Sequence, residues 1–128
     1  MIVGACVVEL HVEGCQSLKA KRGVVRSIVR RVRNRFNLAV SEIGGQDTWQ
    51  YAVLGLAAAG ADSVSVRSVL ERAHDFIEDL HLARVLSADV DVVDLPHEEQ
   101  PWDPDALGFD DSRSDDDDDD DDDVEDEA

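Results

Sequence analysis

The sequence predicts an α+β domain of the ferredoxin-like type, in which two helices cover one face of a four-stranded antiparallel sheet. Six segments show apolar residues at a period of two or of about 3.6, in the order β-α-β-β-α-β. Charge is unevenly distributed: residues 1–94 carry 11 Lys and Arg against 12 Asp and Glu, whereas residues 95–128 carry 1 against 18. We therefore expect a nearly neutral globular domain over residues 1–94 and a disordered acidic tail over residues 95–128.

The first strand is predicted over residues 2–13, because apolar and charged side chains alternate from Val8 to Glu13. Gly14 ends this strand, and Ser17 is the expected N-cap of a helix that runs to about Arg35. On a helical wheel, the apolar residues of this segment fall within an arc of about 140°, which is typical of a helix with one face in the core.

A hairpin is predicted next, with strands over residues 37–44 and 48–59 and a turn at Gly44 to Asp47. The second of these strands is apolar on both faces, which indicates a central position in the sheet. Glu42 is the one carboxylate on a strand face that is otherwise apolar. A hydrogen bond to the region of residues 37–50 is the simplest expectation for it.

The second helix is predicted from about Ser63, where apolar residues recur at the spacing of one helical face as far as Leu80. The last strand is expected over residues 83–93. The side chains expected to point inward from it are Leu86, Ala88, Val90 and Val92. With both helices on one face, the other face of the sheet is left to solvent or to a partner.

Basic residues are concentrated in the first helix: the segment from Gln16 to Ser41 contains 8 Lys and Arg and no acid. Five of them fall within about 80° on the wheel and are expected to contact nucleic-acid phosphates through salt-dependent, weakly sequence-specific binding. These five are Lys19, Arg22, Arg26, Arg30 and Arg33. Two alternatives remain: pairing with acids of the second helix (Glu71, Asp75, Glu78 and Asp79), and binding of other anions such as lipid headgroups.

The stretch SLKAKRGVVRSIVRRVRNRFNLAVSEIG, followed by QDTWQYAVLGLAAAGAD, resembles the YlxP-like (DUF503) family of small bacterial proteins. The resemblance covers about residues 1–94. It implies a ferredoxin-like fold and genes that often lie among translation genes, near those for an initiation factor and a ribosome-binding factor. It implies no established reaction and no catalytic residues.

The resulting expectation is a cytoplasmic, non-enzymatic protein that binds RNA or a ribosomal particle through the basic helix. The alternative is a protein-interaction module or homodimer that pairs through the third strand and the uncovered sheet face, with Trp49 and Tyr51 as candidate interface residues. A minor alternative is an enzyme that uses His11, which lies between two glutamates.

No catalytic residue, cofactor or metal site is expected. His74 and His81 lie on one side of the second helix, but no third ligand is spaced to complete a zinc site. Cys6 and Cys15 would lie about 30 Å apart in an extended chain, so we expect reduced thiols. No apolar run approaches the roughly 18 residues that span a bilayer, so no membrane association is expected.

The run of nine aspartates from Asp115 to Asp123 suggests that the tail competes with polyanions for the basic helix, since about 30 disordered residues reach across a small domain. Deletion of residues 111–128 should then increase RNA affinity at low salt, as measured by fluorescence anisotropy. Equal affinity of the full-length and truncated chains would instead indicate a tail that only aids solubility.

Overall fold

The computed structural model describes residues 1–14, 16–102 and 104–107, and it has the predicted α+β architecture. Its elements follow the order β-α-β-β-α-β, with a four-residue helix after the last strand. They are β1 (Ile2–His11), α1 (Leu18–Arg35), β2 (Ala39–Gly44), β3 (Tyr51–Gly60), α2 (Ser63–Leu80), β4 (Arg84–Asp94) and α3 (Pro104–Leu107).

The sheet has the strand order β2-β3-β1-β4, and every pair of neighbours is antiparallel. β1 and β3 therefore form the centre, as predicted for β3, and β2 and β4 are the edges. The core lies between the sheet and the helices, where Val8, Leu10 and Leu54 are fully buried. Cys6 is also buried there as a free thiol, and burial raises its pKa, with a further contribution from Asp89. Cys15 lies outside the described residues.

Helix α1 follows its predicted N-cap, Ser17, whose hydroxyl accepts a hydrogen bond from the backbone N–H of Ala20 at 3.1 Å. Its inward face combines one lysine with three aliphatic residues at the spacing of one helical face. These buried residues are Lys21, Val25, Ile28 and Val32.

Helix α2 begins after Asp62, whose carboxylate accepts from the backbone N–H of Ser65 at 3.1 Å. The helix packs closely on β1 at Gly4. A Cβ atom built there would lie 2.6 Å from Val66 Cγ1 and 2.7 Å from Leu70 Cδ1. The absence of a side chain at Gly4 is thus what lets the buried face of α2 rest on the sheet.

The inward positions of β4 differ in part from the prediction. A β-bulge shifts the register between β1 and β4, so that Leu10 is opposite Val85 and not Leu86. The half-buried aliphatic side chains are Val85, Val90 and Val92, and Leu86 is 49% exposed. The prediction was therefore wrong for Leu86, which the extra residue turns out of the core. Ala88 pairs with the buried Val8 and so points inward as predicted, although it stays exposed on this edge strand.

The described residues from Met1 to His97 form one compact unit. A second unit comprises Glu98–Ala128 and contains α3. The aspartate run of the predicted tail falls outside the described residues. Within the part of the chain that the structure describes, no helix is both long and apolar enough to cross a membrane.

Gly4→Ala should destabilise the domain by about 1–3 kcal/mol, because the added methyl group overpacks the contact with Val66 and Leu70. Gly23→Ala is the matched control: Gly23 lies inside α1 with open space around its Cβ position. That substitution should stabilise the domain by about 0.5–1 kcal/mol. Urea unfolding measures both changes, and equal effects of the two substitutions would contradict the close packing at Gly4.

Candidate nucleic-acid interface

The five basic residues predicted to contact phosphates lie on one exposed face of α1, which we call the basic face: Lys19, Arg22, Arg26, Arg30 and Arg33. The opposite side of the helix is anchored in the core by Val25, Ile28 and Val32. At a rise of about 1.5 Å per residue, the charges extend over about 20 Å along the helix axis. The tertiary packing therefore brings all five residues together at the surface.

No carboxylate among the described residues of Met1–His97 lies within 4.0 Å of a cationic nitrogen of the basic face. The expected alternative, pairing with acids of α2, is not seen there: Asp75 and Glu78 lie 3.2 and 3.7 Å from His74 instead. Arg33 also belongs to the basic face, and its guanidinium group donates a hydrogen bond to the backbone carbonyl of Val40 at 3.1 Å. The other four side chains extend from the helix into solvent.

Lys21 is the one basic residue of α1 that points inward, and it is 0% exposed. Its ammonium group donates to the carbonyl oxygens of Gly45 and Tyr51 at 2.5 and 3.2 Å, and lies 3.5 Å from Glu42 Oε2. A buried charge requires such partners, since its unpaired burial would cost several kcal/mol. Lys21 therefore joins α1 to the turn between β2 and β3.

Glu42 provides the negative charge for this site from β2. Its Oε2 atom is buried and has no hydrogen bond in the described residues, so the ion pair with Lys21 compensates its charge. The prediction sought a partner for Glu42 within residues 37–50 and missed this cation on α1. The turn is further constrained by Gly45, whose φ of +77° favours glycine and whose Cβ position would lie 2.7 Å from the carbonyl oxygen of Tyr51.

Two sequence signals point to this buried pair. Lys21 stands four, seven and eleven residues before Val25, Ile28 and Val32, the spacing of one helical face. Glu42 shares its strand face with the buried Val40. Each residue is the single charge on an apolar face, and the packing of α1 on β2 brings the two together.

A groove of about 240 Å³ runs beside the basic face and is lined by Arg22, Val25, Arg26, Val29 and Glu42. Its two arginines are exposed, whereas Glu42 is held toward Lys21. The groove therefore presents positive charge to a ligand that approaches between α1 and the edge strand β2.

Of the two candidate interface aromatics, Tyr51 lies on β3 and Trp49 does not. β3 begins at Tyr51, so Trp49 lies in the preceding turn, 44% exposed. The prediction placed the start of the strand three residues too early, because the polar turn continues through Gln50. Tyr51 lies on the side of the sheet away from the helices, where its hydroxyl donates to Glu9 at 2.5 Å.

Glu9 is the acceptor in a hydrogen-bonded group that crosses three strands. Ser87 on β4 donates to Glu9 Oε1 at 2.6 Å, and Tyr51 on β3 donates to Oε2. Both hydrogen bonds lower the pKa of Glu9, and the bond from Ser87 has the larger effect. The same contact raises the pKa of the Tyr51 hydroxyl. Both carboxylate oxygens of Glu9 are thus paired, which suits a structural role at this end of the sheet.

The histidines considered above have local partners. His11 Nδ1 lies 3.7 Å from Glu13, and the neighbouring Glu9 is engaged elsewhere. His74 and His81 do not converge on one point: His81 ends α2 in a left-handed conformation and contacts the carbonyl oxygen of Asp79, while His74 lies between Asp75 and Glu78. The ligand atoms of His74, Asp75 and Glu78 lie within 4.8 Å of one another, an arrangement that hydrogen bonds and ion pairs explain.

Comparison with known proteins places the chain among uncharacterised relatives. The family model described as "Protein of unknown function (DUF503)" matches residues 3–90. The uncharacterized protein YlxP of Bacillus subtilis is 40% identical over 77 residues, which cover 60% of this chain and 84% of that protein. Among solved structures, a mutant of SnoaB, a cofactor-independent oxygenase from Streptomyces nogalater, matches 75% of this chain and 95% of its own, at 10% identity and a TM-score of 0.41.

Lys21→Met should lower the free energy of unfolding by about 2–4 kcal/mol, because it removes the donor to two carbonyl groups and leaves Glu42 without its cation. The matched control is Lys19→Met, two residues away and exposed, which should change stability by no more than about 0.5 kcal/mol. Urea unfolding of both variants measures the difference. Similar stabilities would show that the buried contacts of Lys21 contribute little.

Acid sensitivity should depend on Glu9. Because its folded-state pKa lies below its ordinary value of 4.5, its hydrogen bonds stabilise the fold above that value and are lost as the pH falls through the folded pKa. Glu9→Gln should therefore flatten the loss of stability below pH 4.5, measured as the urea midpoint against pH. Glu71→Gln, at an exposed position of α2, should leave the profile unchanged. Identical profiles for the wild type and Glu9→Gln would rule out this contribution.

Proposed function

This chain belongs to the DUF503 family of proteins of unknown function, and we propose that it binds RNA or a ribosomal particle, without catalysis, through the basic face of α1. The observation that carries the proposal is the row of exposed cationic side chains that have no carboxylate partner among the described residues of Met1–His97. Surface helices usually mix both signs of charge along one face. A face with one sign is suited to a polyanionic ligand.

The spacing of the charges fits a nucleic-acid backbone. Lys19, Arg22, Arg26 and Arg30 extend over about 16 Å of helix axis at about 1.5 Å per residue. Double-stranded DNA presents one phosphate per strand for about every 3.4 Å of its axis, so a row of this length is long enough to contact several successive backbone phosphates. Because α1 is fixed in the core, these side chains are presented without the cost of ordering a helix on binding.

The chemistry of the face favours contact with the backbone over readout of sequence. Its five members are lysine and arginine, and the adjoining groove adds aliphatic residues but no aromatic ring among its described lining. Phosphate contacts position a protein on a nucleic acid and carry no sequence information by themselves. Folded RNA, recognised by shape and by its phosphates, is therefore the ligand class that we propose.

The ribosomal setting has separate and weaker support. It rests on the gene neighbourhood implied by the family resemblance, whereas the charged face supports only the polyanion. The alternative function is a protein-interaction module or homodimer that binds no nucleic acid. The two hypotheses differ in their response to salt, since phosphate contacts release counterions and an apolar interface does not.

The affinity of the full-length protein for an RNA duplex of about 20 base pairs should fall steeply between about 50 and 200 mM salt. Arg26→Ala should weaken binding for unrelated duplex sequences alike and reduce the salt slope by roughly one phosphate contact. The matched control is Arg67→Ala, an exposed arginine of α2 that lies outside the basic face. Fluorescence anisotropy across a salt series measures all three proteins.

The control variant, Arg67→Ala, should keep the salt slope and the RNA affinity of the wild type. An equal loss in Arg67→Ala would indicate non-specific attraction to the whole molecule, and no loss in Arg26→Ala would contradict the proposed site. A pull-down with this protein from lysate tests the ribosomal setting. It should retain ribosomal particles, and these should disappear after nuclease treatment. Retention of a protein partner after nuclease treatment would favour the alternative function.

A further inference from the structure

The sheet face opposite the helices, which we call the open sheet face, is uncovered in the described part of the chain. Its central strands carry apolar side chains where an antiparallel sheet with one wet face normally carries polar ones. Outward positions along β1 and β3 hold six such residues: Val3, Ala5, Val7, Val53, Ala57 and Ala59. The outward polar side chains of β1 are Glu9 and His11, both at the end of the strand. This composition indicates that the centre of the face is buried in the functional state.

The middle of the open sheet face also carries small side chains. Ala5 pairs with Ala57, and Val7 pairs with Gly55, so the middle of the sheet carries little side-chain volume. Ile43, in the bulge of edge strand β2, lies over Gly55: a Cβ built on Gly55 would be 3.1 Å from Ile43 Cγ2. Val7 is 39% exposed and Ile43 54% exposed. Small side chains at the centre of this apolar surface allow a second sheet to approach it closely.

We propose that the open sheet face is the interface of a homodimer, in which two copies pack their sheets face to face. Four strands about 4.8 Å apart, with 10 residues in β1, 6 in β2, 10 in β3 and 11 in β4, give a face of about 600 Å² at about 3.3 Å per residue. Two copies would then bury about 1,200 Å² in total, the lower end of the range for stable interfaces. The area is sufficient only if all four strands take part.

Charge placement favours a second copy in one orientation. Asp89 and Asp91 lie on the outward side of edge strand β4, opposite Val7 and Ala5 of β1. A two-fold axis parallel to the strands places β4 of one protomer over β2 of the other. The outward residues of β2 are Ala39, Ser41 and Ile43, none of them charged. The aspartates then avoid their own counterparts and form a polar rim around an apolar centre.

The same aspartates, together with Glu9, disfavour a polyanion on this face. The basic face of α1 belongs to the helix layer on the opposite side of the sheet, so a dimer would leave two basic faces exposed on its outer surfaces. The homodimer does not rest on the proposed binding of RNA. The two proposals can fail separately.

Sedimentation velocity and light scattering on the full-length protein should give twice the chain mass of 14.1 kDa at micromolar concentration, with little change up to high salt. Ala57→Glu places a charge in the centre of the open sheet face and should yield monomers. Val64→Glu, at a position of α2 that is 76% exposed, is the matched control and should remain dimeric. Circular dichroism and thermal unfolding establish that each variant is folded.

A wild-type protein that stays monomeric throughout the micromolar range would overturn the proposal, as would a folded Ala57→Glu variant that stays dimeric. RNA binding by each variant is measured in parallel. Ala57→Glu should retain the salt slope of the wild type, and Arg26→Ala should remain dimeric. Loss of RNA binding in Arg26→Ala without loss of the dimer would support both proposals independently.

Discussion

The position of α1 depends on one buried cation. Lys21 lies within the apolar face of the helix, 0% exposed, and its ammonium group is held by two backbone carbonyl groups and the carboxylate of Glu42. Burial of a lysine is unfavourable unless such partners compensate its charge, so only a narrow range of helix rotations is compatible with the fold. That rotation places Lys19, Arg22 and Arg26 in solvent. A structural contact thus determines which charges are presented.

The same contact connects elements that are distant in the sequence. Gly45 and Tyr51 mark the two ends of the turn between β2 and β3, and their carbonyl groups face α1. Lys21 therefore connects the turn, the edge strand and the basic helix at one corner of the domain. The groove beside Arg22 and Arg26 lies at this corner.

The two faces of the domain have contrasting chemistry. The helix layer presents cations without carboxylate partners in the described residues of Met1–His97, whereas the open sheet face is apolar at its centre and acidic along β4. Within residues Met1–His97, the cationic surface and the apolar surface thus lie on opposite sides of the sheet. In the arrangement that we propose, RNA binding and dimer formation do not compete for surface.

The sequence by itself determined the element order, the amphipathic helices and the basic face, because each follows from periodicities of two or about 3.6 within one segment. The central position of β3 was likewise visible in its apolar character on both faces. Local patterns did not reveal the bulge that replaces Leu86 by Val85 in the core, because register is set between strands. They also placed Trp49 on a strand that begins only at Tyr51, because the polar turn continues through Gln50.

The pairing of Lys21 with Glu42 was decided by the tertiary structure alone. Each residue is visible in the sequence as a charge on an apolar face, yet 21 positions separate them and no local rule connects a helix to a strand across that distance. The lack of carboxylate partners for the basic face, within the described residues of Met1–His97, has the same origin. Which acids reach which bases depends on how the helices pack, and here Asp75 and Glu78 are directed toward His74 instead.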